Sequence, residues 1–185
     1  MLTDVQLKEL AVKMQFPLES VTFKDELPSK LKYNVGYIIN LENELDDKGE
    51  PNSGSHWTCF QIQKGKDGIA LPIYFDPFGV AAPVVVSEAV EKFCGKKLPH
   101  TTPDIQALMA NCCGWYCAAF LYFINTLPSR SGHIYTDTTG FIDCFEDLNV
   151  SKNFKKNELI LKYFFRNSDP AKRGEMSIGD AITNF

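Results

Sequence analysis

The sequence predicts an α+β domain with a small, mostly antiparallel central sheet, a central helix and further helices around them. Apolar residues recur at helical spacing near the N-terminus, in residues 3–14. Two strand-like runs, 56–63 and 69–75, flank a glycine-containing turn of the kind that closes a hairpin. The longest apolar stretch, 112–124, is shorter than the roughly 20 residues of a membrane span, so it indicates a buried helix.

Local signals place the elements of the N-terminal half. Thr3 and Gln6 form a capping box at the start of the first helix. Residues 35–41 are predicted as a strand, and the acidic and then Gly-, Asn-, Pro- and Ser-rich residues 42–55 as a surface loop. A short helix is expected over 87–93, with Gly95 behind it as a stop.

In the C-terminal half, the pattern predicts a long apolar helix over 114–127 that Pro128 ends. Residues 139–148 and 152–167 are predicted as two further amphipathic helices. The last 18 residues, 168–185, are expected to form a mobile tail or an extended strap. Since no repeat or linker divides the chain, we expect residues 1–185 to form one domain.

The composition is that of a soluble globular protein, with 44% hydrophobic and 23% charged residues. A net charge of −4 gives no general attraction to nucleic acid. The basic run from Lys152 to Arg166 is interpreted as a solvated helix face, although a local basic patch is an open alternative. The N-terminus lacks the pattern of a signal peptide, so secretion is not expected and the six cysteines are expected to be reduced. Their spacing does not form the paired ligands of a zinc site, and no metal is expected.

Only three histidines are present, and His56 opens the first strand of the predicted hairpin. Asp76 ends the second strand. In an antiparallel pair the start of one strand lies beside the end of the next, so this carboxylate can accept a hydrogen bond from the imidazole. Asp76 is equally suited to cap the turn formed by residues 76–79, and both interpretations are open.

Cys113 precedes the long apolar helix, where the positive end of the helix dipole favours a thiolate. Gly114 removes a side chain beside the sulfur, which would let a substrate backbone approach. Free cysteines are more often buried and inert, and Cys117 and Cys144 are assigned to that class. Gln106, seven residues before Cys113, carries an amide that could help to bind a tetrahedral oxyanion.

Four segments stand in one order in the chain: Ser55-His56-Trp57, then Phe75-Asp76-Pro77-Phe78-Gly79, then Gln106, then Cys112-Cys113-Gly114-Trp115-Tyr116-Cys117. This order resembles the adenain (adenovirus maturation protease) family and, more broadly, the Ulp1/SUMO-protease-like cysteine peptidases. Adenain has Glu where this chain has Asp76. The resemblance implies that Cys113 is the nucleophile, His56 the general base, Asp76 its orienter and Gln106 the oxyanion donor.

The resemblance also implies a function, a viral cysteine endopeptidase that cleaves capsid or other structural precursors during particle maturation. It implies a preference for small residues, especially glycine, near the cleavage site, and a source among virophages or Polinton-type viruses. Trp57 and Trp115, next to the catalytic residues, could wall a narrow channel beside Gly114, or they could be ordinary core aromatics.

The expected partners follow from the same comparison. Viral structural precursors are expected as substrates. The protein is expected to be a monomer that does not bind a membrane and to act in the virion and the host-cell interior. No cofactor is expected to be required. Activation by a peptide is left open, and Cys94 lies in the region that could form a disulfide with such a peptide. DNA is not expected to activate an acidic chain. Two alternatives stay open, an isopeptidase acting on SUMO or ubiquitin conjugates and a catalytically inactive, capsid-associated binding module.

Overall fold

The computed structural model of the chain describes residues 1–126 and 131–166. Pro128 and the tail 168–185 lie outside these residues. Along the chain the elements are α1 (Asp4–Met14), β1 (Leu18–Phe23), β2 (Gly36–Asn40), β3 (Trp57–Lys64), β4 (Ala70–Phe75), α2 (Val84–Cys94), α3 (Cys113–Thr126), α4 (Ile134–Ile142) and α5 (Phe154–Arg166).

The four strands form one sheet in the order β1-β2-β3-β4. The first pair is parallel, and the other two pairs are antiparallel. The predicted α+β class with a mostly antiparallel sheet is therefore confirmed. The predicted hairpin is also present as β3 and β4, with Cys59 opposite Phe75.

Both faces of the sheet are buried because alternate side chains of β2, β3 and β4 enter two separate apolar clusters. One cluster includes Ile38, Cys59 and Phe75 with the apolar sides of α1, α3, α4 and α5. The other includes Tyr37 and Phe60, whose stacked rings lie 4.7 Å apart, and Val86 and Val90 of α2. The chain is thus layered, with four helices on one face of the sheet and α2 on the other.

Helix α3 is the central helix of this arrangement. Every residue from Cys113 to Tyr122 is buried, and Phe120 stacks on Phe75 of the sheet at 4.6 Å. An all-apolar helix of this kind fits the interior of a globular fold. No helix in the described ranges is both long and apolar enough to cross a bilayer.

The local signals at α1 and α2 are confirmed. Gln6 donates its backbone N–H to the Thr3 hydroxyl at 3.2 Å, and the Gln6 side chain accepts from the Thr3 N–H at 2.9 Å. Gly95 ends α2 with a left-handed φ of 69° and donates to the Glu91 carbonyl at 2.8 Å. The helix begins at Val84 rather than at residue 87, since the carbonyl of Pro83 accepts the N–H groups of Val86 and Ser87.

One strand was not predicted, and one predicted helix was misplaced. Strand β1 was not predicted, because its sequence, LESVTF, mixes polar residues into both faces and has no clear alternation. The helix placed at 139–148 lies at Ile134–Ile142 instead. It starts earlier because the side chain of Gln63 on β3 accepts the Ile134 N–H at 2.9 Å, and the chain beyond it turns where Asp147 accepts the Asn149 N–H at 3.0 Å.

Candidate active site

The start of β3 and the end of β4 bring His56 and Asp76 together. The Nε2 atom of His56 lies 2.8 Å from Oδ1 of Asp76, and the two side chains are 13% and 2% exposed. The same Asp76 oxygen accepts the Phe78 N–H at 2.8 Å. The contacts predicted by both interpretations of Asp76 are therefore found, because its carboxylate bonds the imidazole of His56 and also caps the turn at 76–79.

The Cys113 side chain lies close enough to the His56 ring to act on its pKa. Because Nε2 faces Asp76, Nδ1 is the ring nitrogen left for the thiol. Burial disfavours the imidazolium, but the hydrogen bonds to Asp76 and Cys113 and the charges of both outweigh it and raise the pKa of His56 to about 9. The ring stacks on Phe78 at 4.7 Å, which fixes its plane. A protonated, oriented histidine thus stands beside the thiol.

Cys113 is the first residue of α3 and is 2% exposed. The backbone N–H of Trp57 donates to its Sγ at 3.4 Å. This N–H, the helix N-terminus and His56 all present positive charge density to the sulfur.

The environments of Cys112, Cys117 and Cys144 differ from that of Cys113. Burial raises the pKa of Cys112 far above its usual range, so this neighbour is held as a thiol. Cys117 is buried as expected, and its Sγ contacts the Trp57 carbonyl at 3.4 Å. Cys144 was expected to be buried and is exposed, because α4 ends before it.

Gln106 is tied to the Asp76 turn through its backbone. The carbonyl of Pro77 accepts the N–H groups of Ile105 at 2.8 Å and of Gln106 at 3.2 Å. The Gln106 side chain is 2% exposed, and its Nε2 donates to the Ala110 carbonyl at 2.6 Å. The amide carries a second N–H, so it can hold the loop and still offer a donor. Its predicted role as oxyanion donor stays a prediction.

The three residues predicted to contact substrate have packing roles in the structure. Trp57 and Trp115 are each 6% exposed; the Trp57 indole donates to the Leu2 carbonyl at 2.8 Å, and Trp115 packs edge-on against Phe165. A side-chain carbon at Gly114 would lie 3.3 Å from atoms of Leu2, Leu7 and Trp57. The small size of Gly114 is therefore explained by close packing of α1 on α3, and contact of these residues with substrate stays a prediction.

Asn157 is a supporting residue that the sequence analysis missed. It is fully buried, accepts the Glu146 N–H at 2.8 Å and donates to the carbonyls of Glu146 at 2.7 Å and Ile105 at 3.0 Å. These bonds attach α5 to the residue that precedes Gln106. The signal that could have found it is its spacing of four from Leu161, which places a polar side chain on the buried face of a helix.

No cluster of three or more His, Cys, Asp or Glu side chains within residues 1–126 and 131–166 could hold a metal ion. The residues that do lie together are a carboxylate, an imidazole and a thiol. Such a group of side chains can generate a nucleophile and move a proton.

Comparisons with known proteins find similarity only among solved structures. The chain matches no protein-family model and no curated protein. It is similar to the crystal structure of ASFV pS273R protease, with a TM-score of 0.47 and 13% sequence identity, over 85% of this chain and 63% of that chain. The chain thus spans less than two thirds of the length of that protease. The proposed function rests on the geometry of the site itself.

Proposed function

We propose that this chain is a cysteine endopeptidase in which Cys113 is the nucleophile, His56 the general base and Asp76 the group that orients His56. The observation that carries the proposal is that Asp76, His56 and Cys113 lie together. The carboxylate is 2.8 Å from the imidazole, and the backbone N–H of Trp57, the residue after His56, donates to the Cys113 Sγ at 3.4 Å. Each member comes from a different element end, and the thiol stands at the N-terminus of a buried helix. This is the relation of nucleophile, base and orienter that acyl transfer requires.

The proposed reaction begins from a thiolate of Cys113 paired with the imidazolium of His56. The sulfur attacks the scissile carbonyl, and His56 gives its proton to the leaving amine, which leaves an acyl-enzyme. His56, now neutral, takes a proton from water as the water oxygen attacks the thioester. The C–S bond breaks, the acid product leaves, and the thiolate of Cys113 and the imidazolium of His56 are restored.

The oxyanion formed in both steps needs donors beside the sulfur. The backbone N–H of Cys113 is one candidate, and the second amide hydrogen of Gln106 is the other. A donor of this kind is worth about 3 kcal/mol of transition-state stabilisation. Support comes from the hydrogen bond that holds the Gln106 backbone to Pro77, the residue after Asp76, and from the one that fixes its side chain on the Ala110 carbonyl.

For the substrate, we propose viral capsid or structural precursors cleaved during particle maturation, in the virion and the host-cell interior. The resemblance of the motif order to adenain supports this choice. The 2% exposure of Cys113 supports the expected preference for small residues, because small side chains need the least room to approach the sulfur. Glycine at the two positions before the cleaved bond would fit such an approach.

The experiment is incubation of the protein with candidate precursor proteins, with cleavage sites identified by mass spectrometry. We expect cuts after small residues that a Cys113→Ala variant does not make. Cleavage that persists in this variant would contradict the assignment of the nucleophile. Labelling of Cys113 by ubiquitin vinyl sulfone, without cleavage of any precursor, would favour an isopeptidase instead.

A further inference from the structure

The backbone carbonyl of Ile105 is held by two buried side chains. The Tyr116 hydroxyl donates to it at 3.1 Å, and Nδ2 of Asn157 donates to it at 3.0 Å. Ile105, Tyr116 and Asn157 are all fully buried. Because a carbonyl oxygen has two lone pairs, these two donors use its full capacity to accept hydrogen bonds.

The other edge of the same peptide unit is also held. The N–H of Gln106 donates to the carbonyl of Pro77 at 3.2 Å, and Pro77 follows Asp76 in the chain. The peptide unit between Ile105 and Gln106 is therefore bonded to three separate parts of the fold, which are the turn after Asp76, α3 and α5. Since a peptide unit is planar, bonds at both of its edges set the direction in which the Gln106 side chain leaves the backbone.

Tyr116 provides the bond from α3, the helix that begins with Cys113. Its ring packs edge-on against Phe145, with 5.5 Å between the ring centroids. Burial raises the pKa of the Tyr116 hydroxyl well above its usual range, so the hydroxyl keeps its proton and stays a donor. A packed tyrosine ring has few rotatable bonds, and it therefore brings its hydroxyl to a fixed point.

We propose that Tyr116 is a positioning residue, which fixes where the Gln106 amide stands relative to the Cys113 sulfur by holding the Ile105 carbonyl. The inference rests on the proposed function and on the role of Gln106 as an oxyanion donor. Helix α3 then carries both the nucleophile and an anchor of the donor, so the two move as one body. The anchor matters because an oxyanion donor acts only when it is preorganised, and a misplacement of about 1 Å can cost roughly 100-fold in rate.

The test variant is Tyr116→Phe, which keeps the ring against Phe145 and removes only the hydroxyl. The matched control is Tyr37→Phe. Tyr37 is also fully buried, its hydroxyl accepts the Lys32 N–H at 2.7 Å, and it belongs to the cluster on the other face of the sheet. Both variants should unfold at a lower urea concentration than wild type, since each loses one hydrogen bond of a buried hydroxyl.

Activity separates the two variants. The substrate is a peptide amide with two glycines before a fluorogenic leaving group, and the enzyme is the full chain. We expect kcat about tenfold lower in Tyr116→Phe, with KM changed less than about twofold, because Pro77 and Asn157 still hold the peptide unit in part. Tyr37→Phe should keep the wild-type kcat. Equal kcat in wild type and Tyr116→Phe would overturn the positioning role and leave the proposed function standing.

A double-mutant cycle tests whether Tyr116 acts through Gln106. Gln106→Ala should lower kcat by roughly 100-fold, the loss of one oxyanion donor. Adding Tyr116→Phe to Gln106→Ala should lower kcat no further, because no amide is left to position. A further tenfold loss in the double variant would show that the hydroxyl acts on another group, and the inference would be wrong.

Two further readouts separate the remaining failures. Alkylation of Cys113 by iodoacetamide forms no oxyanion, so its rate should be the same in wild type and Tyr116→Phe. Slower alkylation in the variant would show that the hydroxyl positions the thiol instead, which would overturn the inference. No cleavage of the amide by wild type, or equal cleavage by Cys113→Ala, would overturn the proposed function and the inference with it.

Discussion

At the scale of single residues, one oxygen atom of Asp76 accepts two of the hydrogen bonds that hold the site together. Oδ1 of Asp76 accepts both the His56 ring and the Phe78 N–H, so orientation of the base and closure of the turn share one atom. His56 in turn lies between Asp76 and Cys113 and is stacked on Phe78. Two predictions test whether these contacts act on the imidazole as the distances suggest.

The first prediction concerns Asp76→Asn. The amide oxygen can still accept the Phe78 N–H, so the fold and the turn should be kept, whereas the negative charge beside His56 is lost. We expect kcat to fall by roughly 10- to 10⁴-fold, the upper figure being that of a serine-protease triad. The pKa of His56 should fall as well, which NMR titration would detect. A variant with wild-type kcat would show that Asp76 only caps its turn.

The second prediction follows from the raised pKa of His56, about 9 in the folded protein against 6.5 for a free imidazole. Because the folded state binds this proton more tightly, the stabilisation is complete below pH 6.5 and is lost as the pH rises through 9. In a Cys113→Ala background, where no thiol titrates beside the ring, the free energy of unfolding in urea should therefore fall as the pH rises from 6.5 to 8.5, because Asp76 still holds the proton on His56. The matched variant His56→Gln should show no such drop, and an equal slope in both proteins would contradict the contacts assigned to His56.

At the scale of elements, the sequence predicted well wherever a signal is local. The capping box of α1, the β3–β4 hairpin and the glycine end of α2 all depend on residues a few positions apart. Elements that depend on distant partners were missed or misplaced. Strand β1 exists because β2 pairs with it in parallel. Helix α4 contains β-branched residues and Gly140, and its position is set by the Gln63 side chain and by Phe141 packing on Phe75.

The candidate site shows the same division. The neighbourhood of His56 and Asp76 follows from hairpin pairing, which the sequence predicts. The packing of Gly114 against Leu2 and Leu7 does not, because it depends on where α1 docks. The buried bonds of Asn157 likewise join residues far apart in the chain, so a local pattern can show only that a polar side chain lies on a buried face.

The third prediction compares two glycines of similar backbone conformation. Gly79 in the turn after Asp76 has φ +71°, and a side-chain carbon there would lie 2.2 Å from the Thr102 carbonyl oxygen; Gly68 in the β3–β4 turn has φ +77° and nothing within 4 Å. Gly68→Ala should cost about 1 kcal/mol from backbone strain alone. Gly79→Ala should cost about 2 kcal/mol more and should lower kcat, since the backbone must move beside Asp76. Equal losses in urea unfolding would show that the contact with Thr102 is not tight.

At the scale of the whole molecule, the layered fold collects residues from distant parts of the chain at one end of the sheet. The start of β3 supplies His56, the segment after β4 supplies Asp76, and the first residue of α3 supplies Cys113. The helix that carries the thiol is buried from Cys113 to Tyr122, which holds the sulfur against the sheet. A rigid frame of this kind can hold a nucleophile and its base within contact distance.

The fourth prediction concerns activation by DNA, which the overall charge of −4 does not favour. In the basic run from Lys152 to Arg166, Lys156 is paired with Glu146, and Lys152 lines a surface pocket that Asp104 and Glu158 also line. Peptidase activity at about 0.15 M salt, near physiological ionic strength, should be nearly unchanged by added duplex DNA. A severalfold, salt-sensitive stimulation that disappears in Lys155→Glu/Lys156→Glu would contradict this expectation.

The most direct test of the central assignment is to map where iodoacetamide first alkylates the native protein at pH 6. Access alone predicts reaction at Cys144, which is exposed, whereas Cys113 is 2% exposed and Cys112 is fully buried. If Cys113 is activated by His56 and the N-terminus of α3, it should react before both of the others, and this priority should vanish in His56→Gln. Alkylation of Cys144 or Cys112 with Cys113 spared would contradict the assignment of Cys113 as the nucleophile.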